Sequence, residues 1–251
     1  MNFDDFDKEM RKFEESLDQR ILPDLYLVTR LDGRGFTKLT AQEKFKKPFD
    51  ERFRDLMVST VEHLMRESGF RIVYGYTESD EISLLFHPEE DSFGRKVRKI
   101  NTTLAGEASA FFSMKLGKLA TFDCRVVPLP NVTRVSDYFA WRAEDAHRNS
   151  LNTWCYWTLR QEGLSARKAS SILLKQGNAF KNELLFQRSI NYNDLPSWQK
   201  RGIGVRFCVE EKEGFNPLTQ EKVRYERNVL KVEEELPVGE AYREYIRQFL
   251  M

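Results

Sequence analysis

The sequence has few cysteines and almost no net charge. The first shortage argues against a disulfide framework, and the second argues against a basic surface spread over the whole protein. Its three cysteines, Cys124, Cys155 and Cys208, are widely spaced and odd in number, so we expect buried thiols, no disulfide framework and a reduced, cytoplasmic compartment. Forty Lys and Arg stand against 39 Asp and Glu, a net charge of +1. Any surface that binds nucleic acid must therefore be a local patch.

Long apolar runs and leader-like segments are also missing. No window approaches ~18 uninterrupted apolar residues, and the acidic, amphipathic N-terminus has no basic stretch leading into an apolar run. We expect neither an export signal nor a membrane span. With 41% hydrophobic and 31% charged residues, the 251-residue chain suits one large or two closely joined globular domains.

Hydrophobic spacing predicts the order of helices and strands. An apolar stripe at helical spacing predicts an N-terminal helix that packs on the rest of the protein and ends before Pro23. The stripe consists of Phe3, Phe6, Met10, Phe13 and Leu17. Strands are then predicted at residues 25–31, 71–76, 82–86 and 119–127, and helices at 48–69 and 96–116. This β-α-β-β-α-β order predicts an α+β, ferredoxin-like split fold, the topology of a polymerase palm.

The remainder of the chain reads as a mainly helical extension. Helical patterns run from about residue 132 to 176, followed by a strand at 203–209 and a small β hairpin around Gly214 and Pro217. No clear linker separates the two parts. We therefore divide the chain into a palm catalytic region, 1–131, which includes the N-terminal helix, and a helical/β region, 132–251, packed on the palm.

Two aspartates are predicted to meet at one edge of the palm sheet. Asp32 ends the first strand, in a segment read as a turn, and Asp80 lies in the turn between the second and third strands. The first strand lies beside the third and antiparallel to it, so both aspartates reach the same edge. With Glu81 as a third acid, they form the candidate catalytic set.

This acidic set predicts a site for two Mg²⁺ ions. Magnesium takes a few carboxylates, waters and phosphate oxygens rather than a full protein cage, and two ions stabilise both oxygens of a phosphoryl transfer. Gly33 lacks a Cβ, so its carbonyl can approach a metal or phosphate. Taken singly, each motif could be only a turn, since Gly and Asp dominate turns. Their joint placement favours the metal site.

Basic and aromatic residues supply candidate contacts for phosphate and bases. Lys96 and Lys99 open a predicted helix and Lys47 precedes another, positions that attract phosphate. Arg167, Lys168, Lys175 and Lys181 form a basic stretch that could contact an RNA backbone. For all of them a solvated helix face is the competing interpretation. Trp154, Tyr156 and Trp157 could stack bases, but an aromatic stripe is more often core.

Six ordered motifs within residues 24–206 resemble the tRNA guanylyltransferase superfamily. They are Arg30-Leu31-Asp32-Gly33-Arg34-Gly35-Phe36, Tyr74 to Glu81, Phe122 to Val127, the polar segment around His147, Lys181 to Phe186, and Ile190 to Asn193. The resemblance implies a nucleotidyltransferase acting at the 5′ end of tRNA with ATP, GTP or other nucleoside triphosphates, assembled as a homotetramer.

The resemblance also implies roles for individual residues. Asp32, the Gly33 carbonyl and Asp80 match metal ligands. The nucleotide-binding positions are matched by Asp32, Gly33, Arg34, Gly35, Phe36, Thr37, Ser79 and Asp80, with Lys47, Lys96 and Lys99 toward the triphosphate. His147, Lys181 and Asn191 match positions tied to nucleotide or tRNA end handling.

Two departures point to the bacterial and archaeal branch of the family. Thr37 stands where the eukaryotic enzymes have histidine, so their contact for ATP activation does not carry over. The segment His147 to Thr153 is one residue shorter than its eukaryotic counterpart, and Asn152 has no clear match. That branch is associated with templated 3′-to-5′ repair of 5′-truncated tRNA. Three alternatives stay open: addition of a single G to histidine tRNA, a palm-type nucleotidyl cyclase, and a non-enzymatic RNA-binding module.

Overall fold

The computed structural model describes residues 2–216 and 221–250. Its α-helices are Phe3–Glu15 (α1), Phe36–Gln42 (α2), Glu51–Glu67 (α3), Val97–Leu116 (α4), Val132–Gln161 (α5), Ala166–Leu173 (α6), Asn178–Phe186 (α7), Ser197–Arg201 (α8) and Glu240–Arg247 (α9). Its strands are Tyr26–Arg34 (β1), Ile72–Glu78 (β2), Glu81–Phe86 (β3), Thr121–Leu129 (β4), Ile203–Asn216 (β5) and Glu221–Glu233 (β6).

One antiparallel sheet joins all six strands in the order β4-β1-β3-β2-β5-β6. The first four strands, with α3 and α4 between them, are the predicted β-α-β-β-α-β palm, and β1 lies beside β3 as expected. The predicted small hairpin is larger than expected and belongs to this sheet, since Ile203 to Arg206 pair with Thr77 to Tyr74. Pro217, expected at its turn, lies outside the described residues.

Helices cover both faces of the sheet, because alternate strand residues point to opposite faces. On one face α3 and α4 bury Leu31, Val61, Leu84, Leu104 and Phe112 in the larger core cluster. On the other face α5 and α9 cover a second cluster that includes Val28, Leu85, Phe139 and Ile246. Helices α5 and α9 therefore pack against the sheet on the face opposite α3 and α4.

Two local predictions are wrong. The Asp32-Gly33-Arg34 segment is the end of β1 rather than a turn, because β4 extends far enough to pair with it. The apolar stripe of α1 does not pack: no residue of this helix is buried, and Phe3 is 76% exposed and Phe13 70% exposed. Helical spacing shows that one face is apolar, not that another part of the same chain covers it.

The length and apolarity of the helices also bear on the membrane expectation. None of the helices within the described ranges is both long and apolar enough to cross a membrane.

Candidate active site

Asp32 and Asp80 meet at one edge of the central sheet. Asp32 is paired in register with Glu81, the first residue of β3, and Asp80 lies in the two-residue turn before it. The backbone N–H of Gly33 donates to the carbonyl of Asp80 at 2.9 Å, which ties the end of β1 to the turn. Ser79 adopts a φ of +48°, in the left-handed region, to close this tight turn. The sequence correctly predicted that these segments meet.

The backbone at Gly33 leaves no room for a side chain. A Cβ at this position would lie 2.6 Å from the Phe36 ring and 2.9 Å from the Asp80 Cβ. Both contacts are closer than real Cβ atoms allow, so another residue would push the two aspartates apart. The glycine therefore creates a close-packed cradle between Asp32 and Asp80.

Acidic side chains form a row across four strands at this edge. Glu78 pairs with Glu81, Glu81 with Asp32, and Asp32 with Asp123, and directly paired residues share a face of the sheet. Burial raises the pKa of Glu78 to about 8, and the charge of Glu81 adds to the effect. Burial also raises the pKa of Asp80, and the charge of Asp32 raises it further. Such crowding favours a bound cation.

Glu81 is the candidate acid with the most protein partners. Its carboxylate contacts Arg30 Nη2 at 2.5 Å and Arg142 Nη2 at 2.8 Å. Burial raises its pKa, while these two arginines oppose the shift. Its oxygens are therefore engaged by cations of the protein, unlike those of Asp80, whose side chain hydrogen bonds only to Ser79 among the described residues. Asp32 and Asp80 are therefore stronger candidates than Glu81 for direct contact with a metal ion, and Glu81 is a candidate supporting group.

The residues present fit magnesium. Within residues 2–216 and 221–250, no three His, Cys, Asp or Glu side chains form a complete metal cage. An incomplete set is what Mg²⁺ uses when phosphate oxygens and waters fill its other positions. The two aspartates at this sheet edge and the Gly33 carbonyl provide that set, so Asp32, Asp80 and the Gly33 carbonyl would hold the ions.

A cavity of about 630 Å³ opens beside Asp80, between the palm and α5. Its wall includes Phe36, Thr37, Lys47, Ser79 and Asp80 of the predicted nucleotide-binding set, whereas Asp32 and Gly33 lie just behind that wall. Arg34 and Gly35 instead line a smaller cleft of about 190 Å³ on the β4 side. The opposite wall is one face of α5, formed by Ala146, Asn149, Ser150, Thr153 and Trp157.

Lys47 and a set of aromatic rings give the cavity its two chemical characters. The Lys47 ammonium donates to Thr40 Oγ1 at 2.9 Å and lies 5.8 Å from the centre of the Trp157 ring. Burial lowers its pKa, and the charges of Asp50 and Asp80 oppose that shift. The aromatic wall consists of Phe45, Phe49, Phe53, Tyr156, Trp157 and Trp198. A flat base and a polyanion can thus bind side by side.

Lys96 and Lys99 do not reach this cavity. The α4 helix ends shortly before Thr121, which pairs with Arg34 at the sheet edge where Asp32 and Asp80 meet. A helix of this length is about 30 Å long. The first residues of α4 therefore lie about 30 Å from that edge, at the other end of the sheet. There Lys96 Nζ lies 2.6 Å from Asp18, and Lys99 lies over the Phe93 ring. The prediction that Lys96 and Lys99 contact the triphosphate is therefore wrong within one chain, because they cannot reach a nucleotide held at Asp80. A basic helix start looks the same in sequence at either end of a sheet.

The residues expected to handle a tRNA end gather on the helical side. His147 Nδ1 lies 3.4 Å from the Tyr192 hydroxyl, next to Asn191 in sequence, and burial lowers the pKa of His147. Lys181 is 9% exposed, and its carbonyl accepts a hydrogen bond from Cys155. Asn152 is exposed. Arg167, Lys168 and Lys175 are also exposed and form no ion pair with the described residues.

Sequence reasoning missed several residues of the site. Arg142 lies under the β2–β3 turn, and Asn149, Ser150 and Thr153 line the cavity, as do Tyr156 and Trp157, for which core packing was the favoured interpretation. One signal could have identified Arg142. It is a charged residue within the buried face of α5 that Val135, Phe139, Ala143 and Ala146 define at helical spacing.

Two family models match consecutive parts of the chain. The model described as tRNAHis guanylyltransferase matches residues 7–130, and the one described as Thg1 C terminal domain matches residues 133–242. Among curated proteins, the chain is 34% identical over 230 residues to tRNA(His) guanylyltransferase of Debaryomyces hansenii, covering 85% of this chain and 86% of that protein. It is 36% identical over 204 residues to probable tRNA(His) guanylyltransferase of Drosophila melanogaster, covering 77% and 70%.

Solved structures share the fold over most of the chain. A bacterial tRNA(His) guanylyltransferase (Thg1)-like protein in complex with ATP superposes with a TM-score of 0.75 at 27% identity, covering 98% of this chain and 99% of the other. The tRNA(His) guanylyltransferase of Saccharomyces cerevisiae gives a TM-score of 0.72 at 30% identity, covering 78% and 91%. The α+β fold is shared along this length.

Proposed function

Since the chain belongs to the tRNA(His) guanylyltransferase family and is a nucleotidyltransferase, we propose that it adds nucleotides to the 5′ end of tRNA in a magnesium-dependent, 3′-to-5′ reaction. The observation that carries this proposal is the joint placement of Asp32 and Asp80 beside a cavity large enough for a nucleotide. Relatives named for tRNA and a bacterial neighbour solved with GTP and with ATP support the substrate classes.

The cavity binds one nucleoside triphosphate in two parts. The base stacks on the aromatic wall, where Trp157 and Trp198 offer broad apolar faces. The triphosphate runs from there toward Asp80, past Lys47, whose charge faces the cavity. Thr40 orients that ammonium group through its hydroxyl, and Ser79 and Thr37 offer further polar contacts. The protein thus fixes the nucleotide between an apolar and an ionic anchor.

Asp32, Asp80 and the Gly33 carbonyl would hold the magnesium ions. When bound, Mg²⁺ at such a site stabilises the attacking and the leaving oxygen of a phosphoryl transfer. The protein contributes placement: the Gly33 N–H fixes the turn, and the absent Cβ lets both aspartates approach one point. Holding reactants in line within a few tenths of an ångström supplies much of the rate of such reactions.

The bond chemistry is a single displacement at phosphorus. The 3′-hydroxyl oxygen of the incoming nucleotide bonds to the 5′ phosphorus of the tRNA, and the hydroxyl proton passes to solvent. The leaving group is pyrophosphate when the tRNA carries a 5′ triphosphate and AMP when the end has been activated by ATP. Either route uses the same carboxylates, and the chain grows by one nucleotide at its 5′ end.

We propose that base pairing selects the added nucleotide, so that the enzyme repairs 5′-truncated tRNAs. Two features support this. Thr37 replaces a histidine of the eukaryotic enzymes on the cavity wall, and the His147 to Thr153 segment is shortened. The competing activity, addition of one G to histidine tRNA, is favoured by the names of the relatives. The cyclase and RNA-binding-module alternatives gain no support from family membership.

The RNA-binding surface and the assembly of subunits are also part of the proposal. Arg167, Lys168 and Lys175 are exposed, so they can bind the tRNA backbone. His147, Lys181 and Asn191 then handle the tRNA end. We also propose that the protein assembles as a homotetramer in the cytoplasm. The palm and the C-terminal region are proposed to divide after residue 131.

A templating series tests the proposal. Truncated tRNAs that lack the first 5′ base, with each of the four bases at the opposing 3′-strand position, are incubated with Mg²⁺ and each labelled nucleotide in turn. We expect the Watson–Crick partner to be added in all four cases and on several tRNA species. Addition of G whatever the opposing base, or activity confined to histidine tRNA, would favour the single-G activity. No labelling of any tRNA would reject the proposed function.

A further inference from the structure

Arg142 is a buried cation directly under the turn that carries Asp80. Its side chain is 2% exposed, and α5 supplies it from the face that packs on the sheet. The Nη2 atom lies 2.8 Å from Glu81 Oε2 and 3.2 Å from Glu78 Oε1, so one group bridges the residues on either side of the two-residue turn. A third carboxylate, Asp145 on the same helix, lies at 3.3 Å.

The surroundings hold this guanidinium in one position. Its Cζ lies 4.7 Å from the centre of the Trp141 ring, and Asp145, three residues further along α5, contacts it as an i,i+3 pair. These contacts restrict where the buried guanidinium can lie. Glu78 and Glu81 are therefore tied to one group that α5 supplies, on both sides of the turn.

Arg142 is absent from the cavity wall, so it does not act by touching a nucleotide there. Its partners, however, are next to the metal-binding candidates on both sides: Glu78 precedes Ser79-Asp80, and Glu81 pairs with Asp32. Without Arg142, Glu78 and Glu81 would oppose one another across β2 and β3 with no cation between them, because among the described residues Arg30 contacts only Glu81 and Asp32.

We propose that Arg142 is a positioning residue that fixes the β2–β3 turn and thereby sets the separation of Asp80 from Asp32 for divalent-cation binding. This inference rests on the proposed function for its kinetic consequence. The metal-binding consequence is independent of which RNA the enzyme extends. Arg142 therefore affects metal affinity and turnover more than nucleotide affinity.

The test compares Arg142→Met, which removes every donor, and Arg142→Lys, which keeps the charge but not the planar fork, with Arg206→Met as matched control. Arg206 is a partly buried arginine of β5 whose Nε lies 3.1 Å from Glu233, away from the site. Two readouts are needed: Mn²⁺ binding measured by electron paramagnetic resonance in the presence of GTP, and the Mg²⁺ concentration for half-maximal nucleotide addition. Thermal unfolding of each variant records purely structural damage.

For Arg142→Met we expect the Mn²⁺ dissociation constant and the Mg²⁺ concentration for half-maximal addition each to rise about tenfold or more. A change of this size is typical of the loss of a charge-assisted contact. Turnover at saturating Mg²⁺ should fall about a hundredfold, the cost of misplacing reacting groups. Arg142→Lys should change metal binding and turnover in the same direction but by smaller factors. Arg206→Met should lower only the stability of the protein. If Arg142→Met does not fold, Arg142→Lys decides.

Unchanged metal constants in the folded Arg142 variants, or equal changes in Arg206→Met, would overturn the inference. Failure of the proposed function is a separate result: a wild-type protein that binds Mn²⁺ yet labels no tRNA rejects the activity, while the Mn²⁺ comparison among variants still tests the role of Arg142.

Discussion

The two ends of the central sheet shift the pKa values of their carboxylates in opposite directions. At the catalytic edge, Glu78, Glu81, Asp32 and Asp123 form a row, and the pKa of Glu78 rises to about 8 through burial and the neighbouring Glu81. At the far end, Asp18 lies between Arg98 and Lys96, whose hydrogen bonds lower its pKa to about 2. Paired charges fasten the chain N-terminal to β1 onto α4, whereas crowded charges favour a bound cation.

This difference separates charges that stabilise the fold from charges that serve the reaction. A carboxylate with a raised pKa opposes folding at neutral pH, and one with a lowered pKa favours it. Natural proteins retain unfavourable local arrangements mainly at functional sites. Substitutions at the two ends should therefore have opposite effects on activity and stability.

The largest effect is expected at the catalytic edge. Asp32→Asn and Asp80→Asn should each reduce nucleotide addition to background, because neither leaves the carboxylate pair that holds magnesium. In chelator the same variants should unfold at the same temperature as the wild type or a higher one, since a repulsion is removed. Labelled-nucleotide incorporation and thermal unfolding measure the two effects. Substantial addition by either variant at saturating Mg²⁺ would argue against the metal assignment.

The next effect concerns the cavity. Lys47→Ala should raise the KM for the nucleoside triphosphate about ten- to hundredfold, the range for a lost charge-assisted phosphate contact. Turnover should change less, because Lys47 lies on the binding wall and not at the sheet edge. Steady-state kinetics with each nucleotide measure both. Lys38→Ala, an exposed lysine in the smaller cleft, is the control and should keep its KM; equal effects of the two substitutions would disprove a specific contact.

Asp18→Asn should have the reverse profile, with lower stability and normal turnover. Because the folded pKa is about 2 and the ordinary value is 3.8, the carboxylate stabilises the fold fully above pH 3.8. That contribution is lost as the pH falls through the folded pKa. Urea unfolding of wild type and variant at pH 7, 4 and 3 should show a difference that shrinks at the acidic end. A constant difference would mean that the ion pairs are not its source.

The smallest effect is expected for Lys96→Ala. Its ammonium group is held by Asp18 and Glu15 at the far end of the sheet, so the KM for nucleotide should stay within about twofold of wild type. A tenfold rise in KM would show that these lysines reach a nucleotide after all, for example one held by another copy of the chain.

The sequence predicted the palm because its strands and helices have clear periods and its two aspartates stand at strand ends. It could not show which end of the sheet a helix start reaches, and so grouped Lys96 and Lys99 with Lys47. A charge within the buried face of α5 could have identified Arg142, but the sequence could not show its partners, which lie on strands more than sixty residues away. The prediction that α1 packs was wrong for a related reason, because an apolar helix face does not show which surface covers it.

The central claim is that the crowded carboxylates perform 5′ nucleotide addition while the paired ones only hold the fold. One measurement tests it directly: a tRNA lacking its first 5′ base is incubated with Mg²⁺ and labelled nucleotide, and the label is mapped by nuclease digestion for wild type, Asp80→Asn and Asp18→Asn. We predict a label at the 5′ end with wild type and Asp18→Asn, and none with Asp80→Asn. A label at the 3′ end, or one made equally by Asp80→Asn, would contradict the account.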